Sequence, residues 1–344
     1  MHCPAHLGSL SPSISAALTR AALMTSPIHR PGTPIGMVSS CWSGSMIQPW
    51  LPPAGFDRYC PDAVARGDRP PFTDSQMFNA MIYPLLPFAF SGVIWHQGEE
   101  NAGDPIEYKC FFQALIALWR SAFQIAALPV AFVQLQPCGV PPEQRYAQAA
   151  ALSLANVAMA TAVDLGDPGP TVYGNVSYPV NPDGECHTRY KIEIANRLAP
   201  ALAGMIWSNV TTAPTPTVTA TSAAYTPKDY RTYSVTIPIV GDVSGGFAWR
   251  GTPQCMHCCD SIATPITYSS TAGVWAGRNV VPSKRSGSWA YDTATQSLVG
   301  TVGVEPPFLP VALRYGWSDF EECLLVNGNG VPLAPFNVTL HMAE

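Results

Sequence analysis

The feature that most constrains this chain is the alternation, from Ile35 to about Trp207, of short apolar runs with longer segments of helical period. A chain patterned in this way lays its strands side by side in a parallel sheet and uses helices as the crossovers. The runs are PIGMVSS (Pro34 to Ser40), GVIWHQ (Gly92 to Gln97), PVAFVQLQ (Pro129 to Gln136) and VAMATAVDL (Val157 to Leu165). Each is too short for a buried helix and rich in β-branched residues, so each is expected to be a buried strand. Helices are expected over Ser75 to Tyr83, Pro105 to Phe123, Pro142 to Leu154 and Thr188 to Met205. Asp104 followed by Pro105 reads as an N-cap with proline at the first helical position.

After Trp207 the pattern changes to TTAPTPTVTATS, a Pro/Thr-rich stretch that reads as a boundary. Beyond it YSVTIPIV, GGFAWR, SLVGTVG, VALRYGW and NVTLHM are strand-like runs separated by Gly, Pro and Ser, with no helical period. The expected organisation is an unassigned segment over 1–30, an α/β layer over 31–207, and a β-rich, sandwich-like domain over 208–344.

Bulk properties exclude two classes of partner. Only 12% of residues are charged and the formal net charge is -5, so the basic footprint needed to bind nucleic acid is missing. No apolar run reaches the roughly 18 to 20 residues that cross a bilayer, and the run after Met81 is broken by Pro84 and Pro87. The hydrophobic content of 47% fills a sizeable core, so the 35 prolines and 27 glycines belong to ordered loops. Cys255, Cys258 and Cys259 crowd together, and Asn-x-Ser/Thr acceptors stand at Asn175, Asn209 and Asn337. Together these favour an oxidising secretory compartment, with the cysteines in structural disulfides. Residues 1–30 carry no basic start, apolar core and cleavage site, so either the protein is not secreted or its true beginning is absent. A zinc site at Cys255, His257, Cys258 and Cys259 is disfavoured, because four ligands within five residues cannot readily surround one tetrahedral ion.

Three segments put polar residues just beyond the carboxyl ends of expected strands, where a parallel sheet carries its ligands. The first is Ser39-Ser40-Cys41-Trp42-Ser43-Gly44-Ser45-Met46-Ile47-Gln48-Pro49-Trp50, in which Gly44 lets a backbone N–H approach a developing oxyanion. The second, Trp95-His96-Gln97-Gly98-Glu99-Glu100-Asn101, offers an asparagine amide as a second donor, and Gln97 and Glu99 to hold a sugar hydroxyl or brace the loop. The third, Asp183-Gly184-Glu185-Cys186-His187-Thr188, sets an acid near a histidine, as a general base requires.

In order, these segments resemble the sialate O-acetylesterase family of the SGNH hydrolases. PIGMVSSCWSGSMIQPW is similar to the block written near IGLI-x-SSWGGTPIEAW, and FNAMIYPLLPFAFSGVIWHQGEEN to N-x-MI-x-PL…GV-x-W-Y-QGE-x-N. ECHTRYKIEIANRLA is similar to D-x-HP-x-x-K…G-x-RLA, and a weaker likeness returns at VALRYGWSDFEECLLVNGNGVPLAPF. The resemblance implies an SGNH-hydrolase-like parallel sheet flanked by helices. It also implies a serine esterase without metal or organic cofactor, acting on O-acetylated sialic acid or another acetylated carbohydrate, in a secreted or lysosomal setting.

Carried over by position, His187 matches the catalytic base and Gly44 and Asn101 the oxyanion donors; Gln97 is taken as substrate-binding from the chemistry of its own loop. Glu185 stands where the family has aspartate, with Asp183 as the alternative orienting acid; Ser43 replaces a glycine and Thr188 a proline. The serine block resembling GQSNM, which should precede Gly44, does not occur in these 344 residues, and Gly8-Ser9-Leu10-Ser11 is a poor match. The expectation is a nucleophile upstream of Met1, and turnover near background for the chain as written. A catalytically inactive carbohydrate-binding protein is the alternative.

Overall fold

In a computed structural model the described residues are 35–53, 59–61, 74–167, 172–173, 176–177, 187–208, 217–218, 222–251, 266–271, 273, 275–276, 289–318 and 323–343. The chain divides into two compact units: residues 1–135, 143–162 and 187–214 form one, and residues 136–142, 163–186 and 215–344 form the other.

The first unit is built on three parallel strands, β1 (Val93–Trp95), β2 (Val130–Gln134) and β3 (Val157–Thr161), in the order β1-β2-β3. The register sets Trp95 against Phe132 and Phe132 against Met159. All of β2 is buried, as is all of β3 after its first residue, which is why these runs are apolar without alternation. The crossovers are α1 (Pro105–Ala122) and α2 (Pro142–Ala149), and α3 (Lys191–Ala203) follows β3 and packs on β2 and β3. Tyr108, Phe111, Phe112, Leu115 and Trp119 recur at helical spacing and make the buried face of α1, where Phe112 meets Phe132 edge-on at 5.0 Å.

Four expectations need correction. Residues 35–42 form no strand, and Met37 and Val38 are 36% and 57% exposed. An apolar run becomes a buried strand only where a neighbour completes its hydrogen-bond ladder, and among the described residues β1 borders β2 alone. The helix expected over Ser75 to Tyr83 is instead a π-helical turn, Phe78–Ile82, followed by a 3₁₀ turn, Tyr83–Leu85, because Pro84 and Pro87 cannot supply helical N–H donors. α3 starts at Lys191 rather than Thr188, since the Thr188 Oγ1 accepts from Tyr190 N at 3.2 Å and holds the preceding turn outside the helix. Pro105 does open α1, yet the Asp104 side chain makes no capping bond.

Cys60 and Cys110 form a disulfide that ties the loop before residue 61 to α1. Cys41, Cys138 and Cys323 are also disulfide-bonded, and no free cysteine occurs among the described residues. Cys255, Cys258 and Cys259 lie outside those residues, as do Asn175 and Asn209.

The second unit is β-rich. The small strands β4 (Val172–Tyr173) and β5 (Val176–Ser177) pair with each other, and β6 is Thr217–Val218. The remaining strands are β7 (Ser222–Pro227), β8 (Thr232–Val240), β9 (Phe247–Gly251), β10 (Ile266–Ser270), β11 (Trp275–Ala276), β12 (Ala290–Asp292), β13 (Ser297–Gly303), β14 (Pro310–Tyr315), β15 (Cys323–Asn327) and β16 (Phe336–Met342). With β6 beside β8, they form a nine-stranded sheet in the order β11-β10-β14-β16-β7-β8-β13-β12, while β9 pairs with β15. Along β8 the buried residues Tyr233, Val235, Ile237 and Ile239 alternate with more exposed ones, the period-two mark of a sheet with one solvated face. They share a core with Leu313, Tyr315, Phe336, Val338, Leu324 and Leu325, so the β9–β15 pair closes over the same apolar interior. No helix among the described residues is long and apolar enough to cross a membrane.

Candidate active site

An aromatic floor fixes the loops at the end of β1. Trp95 packs edge-on against Trp50 at 6.0 Å and Trp119 at 5.7 Å. Trp119 Nε1 donates to Trp50 O at 2.9 Å, and Trp50 Nε1 donates to Ser45 Oγ at 2.9 Å. Ser45 Oγ in turn donates to Trp42 O at 2.8 Å, closing the turn that contains Gly44. Gly44 has φ +71°, a region that L side chains avoid, and a Cβ there would meet nothing within 4 Å. Its requirement is therefore conformational rather than steric.

Asn101 ends a 3₁₀ turn, Glu99–Asn101, and is almost completely buried. Its Oδ1 accepts from Ile47 N at 2.8 Å and from Gln97 Nε2 at 2.9 Å, while its Nδ2 donates to Gln48 Oε1 at 3.1 Å. Gln97 Nε2 also donates to Ser45 O at 3.1 Å. Two polar segments separated by some fifty residues in sequence are thereby sewn into one surface at the carboxyl end of β1. Both acceptor positions of Asn101 are filled and one Nδ2 hydrogen is used, which leaves its other Nδ2 hydrogen with no partner among the described residues. His96 Nε2 stands 3.9 Å from Glu99 Oε1 and braces the same turn.

Beneath this surface lies a polar layer that the sequence patterns did not reveal. Gln144, Arg145 and Gln148 of α2 are buried with no exposed surface. Gln148 Oε1 accepts from Leu135 N at 2.9 Å, and its Nε2 donates to Gln97 O at 3.1 Å and Val133 O at 3.2 Å. Gln134 Nε2 donates to Arg145 O at 3.0 Å. Tyr108 donates to Gln97 O at 3.0 Å, and burial raises its phenol well above the usual range. The available signal was the composition of PEQRYAQA, a helix with no apolar stripe lying between two buried, mostly apolar strands. Gln97 Oε1, Gln134 Oε1 and both amide atoms of Gln144 are buried without a hydrogen-bond partner among the described residues. Native interiors rarely leave such atoms unfilled.

His187 is half-buried on a separate segment, immediately before buried Thr188 at the approach to α3, which packs on β2 and β3. Glu185 and Asp183 lie outside the described residues. Gly44, Gln97 and Asn101 thus occur on two loops that share one hydrogen-bond network. No group of His, Cys, Asp and Glu that would hold a metal ion occurs among the described residues.

A parallel sheet with amide-lined loops at its carboxyl end, in a chain that also carries a β-rich unit, has a counterpart among solved structures. The fold matches a crystal structure of a carbohydrate acetylesterase from Xanthomonas citri with a TM-score of 0.65 at 22% identity, over 94% of this chain and 65% of that one. The family profile described as carbohydrate esterase, sialic acid-specific acetylesterase, matches residues 4–175, half of the chain. The protein belongs to that family. Sialate O-acetylesterase of Rattus norvegicus is 31% identical over 220 residues, which cover 48% of this chain and 38% of the rat protein. The Homo sapiens sialate O-acetylesterase is 37% identical over 101 residues, covering 26% of this chain and 18% of the human protein. The chain therefore spans well under half the length of these curated relatives.

Proposed function

We propose that this chain carries the site of a sialate O-acetylesterase, built on an SGNH-hydrolase-like sheet with a sandwich-like C-terminal domain over 208–344. It removes acetyl esters from sialic acid or a related sugar in a secreted or lysosomal setting, to which the disulfide chemistry is suited. A serine of a GQSNM-like block attacks the acetyl carbonyl. His187 takes the serine proton and later returns one to the leaving hydroxyl, with Glu185 or Asp183 fixing its tautomer. The Gly44 N–H and the second Nδ2 hydrogen of Asn101 receive the oxyanion. Two bonds accepted by Asn101 Oδ1 polarise its amide and strengthen that donor. Gln97, the substrate-binding candidate, braces the loop through its Nε2, and its buried, unpartnered Oε1 is the acceptor that a sugar hydroxyl would have to reach.

The observation that carries this reading is the Asn101 bridge, which brings the oxyanion glycine's loop and the QGE-x-N loop together with donors preorganised. The test is acetate release from O-acetylated N-acetylneuraminic acid, measured on the chain alone and on the chain extended by a relative's GQSNM-like block. Activity is expected in the extended protein, falling by about three or more orders of magnitude in His187→Ala. An extended, folded protein that binds the acetylated sugar and releases no acetate would favour the inactive carbohydrate-binding reading.

A further inference from the structure

We propose that Gln48 contacts the acetylated sugar directly, donating from Nε2 to an oxygen acceptor of that sugar, a carboxylate or an acyl carbonyl. The proposal rests on the site reading above and adds a residue that reading does not use.

Amide orientation normally has to be assigned from its surroundings, and here the backbone fixes it. Ile47 N is a donor and can only meet the oxygen of Asn101, so Oδ1 faces Ile47 and Nδ2 faces Gln48. Since Nδ2 can only donate, Gln48 must present Oε1 to it. The acceptor end of Gln48 is therefore held inward, and its two Nε2 hydrogens point away from Asn101. Nε2 makes no hydrogen bond among the described residues, and Gln48 is only partly buried, so its donors remain available to a ligand.

The backbone of Gln48 is as fixed as its side chain. Its carbonyl accepts from Leu51 N at 3.1 Å and Ser75 N at 3.4 Å, and Pro49 and Trp50 after it are buried. A rigid donor pair, four residues after Gly44 and on the same loop, requires little ordering when a ligand arrives. Donors alone select an acceptor, which excludes a sugar hydroxyl's hydrogen as the matched group and favours carboxylate or carbonyl oxygen. The family block has glutamate at this position, in IEAW, where the chain has IQPW. With a carboxylate there, Asn101 would still be met by one oxygen, but the outward atom would be an acceptor. Gln48 thus reverses the polarity of the outward group.

The test is calorimetric titration of the chain as it stands with O-acetylated N-acetylneuraminic acid, which has a carboxylate, and with an O-acetylated neutral glucoside, which has none. Gln48→Glu keeps the partner of Asn101 and replaces the donors with negative charge; Gln48→Met removes both. Each variant is expected to bind at least about tenfold more weakly; Gln48→Glu should keep its Tm, whereas Gln48→Met strands the Asn101 Nδ2 and should melt lower, and should one fail to fold, the other decides. A carboxylate acceptor predicts loss for the sialic acid only, and a carbonyl acceptor predicts loss for both sugars. Folded variants that bind both sugars like the wild type would overturn the role of Gln48 and leave the site reading standing. A wild-type chain that binds neither sugar would sink both.

Discussion

Asn101 shows how much of a site can depend on one side chain. Alanine there would leave Ile47 N–H and Gln97 Nε2 short of a buried acceptor, and each stranded group costs about 1–3 kcal/mol. Asn101→Ala is therefore expected to lower unfolding stability by roughly 2–4 kcal/mol, read from urea melts. Asn101→Asp, melted at about pH 4 where a buried carboxyl is protonated, should lose less, because it keeps the acceptor and can offer its hydroxyl to Gln48. Equal losses in the two variants would show that the bridge does not hold the loops. Gly98 presents a different constraint, with φ +141° and a virtual Cβ 3.2 Å from both Gln144 Nε2 and Leu135 Cδ1. Gly98→Ala combines backbone strain with a clash against the buried glutamine layer, so a loss of about 1–3 kcal/mol is expected in the same assay.

Among elements, those with a self-contained signal were legible and those needing a partner were not. β1, β2, β3 and α1 fall close to where apolar runs and helical spacing put them, because period and length suffice to define them. The run Pro34 to Ser40 has the same composition, yet the described residues 35–40 are unpaired; a strand is a property of two segments and a sequence window shows one. The buried polar face of α2 was missed for a related reason, since only tertiary packing tells a buried glutamine from a solvated one. The Cys60–Cys110 link could not be read from spacing either. It closes a separation of 50 residues, so Cys60→Ser with Cys110→Ser is expected to cost about 2–4 kcal/mol in melts under non-reducing conditions. In the β-rich unit the Trp289 ring occupies the space where a Cβ on Gly300 of β13 would sit. Gly300→Ala should displace that ring from the core and lower Tm by several degrees, whereas Gly303→Ala, whose Cβ meets only Arg231 O at 3.9 Å, should not.

For the molecule as a whole, three carboxyls of the β-rich unit make that unit sensitive to acid. Asp229, Asp242 and Asp292 all belong to it, and each is held below the ordinary carboxylate value of 3.8. Asp229 is lowered chiefly by the backbone N–H of Arg231, with help from Thr232, in the β7–β8 turn. For Asp242 burial pushes upward, but bonds from Ser244 and Asn329 outweigh it. Asp292 is lowered chiefly by the Thr295 hydroxyl, then by Ala294 N–H, in the β12–β13 turn. A carboxyl whose folded value lies below its unfolded value contributes stability above the unfolded value and loses it as pH falls through the folded one. The unit is thus predicted to hold its stability from neutral pH down to about 4 and to lose it progressively below that. Asp→Asn at positions 229, 242 and 292 together keeps an acceptor in each turn while removing the charge. The triple variant is expected to melt lower than the wild type at pH 7 and to show a shallower decline of Tm between about pH 4 and 2. A triple variant whose acid decline parallels the wild type would place the acid-sensitive groups elsewhere in the chain.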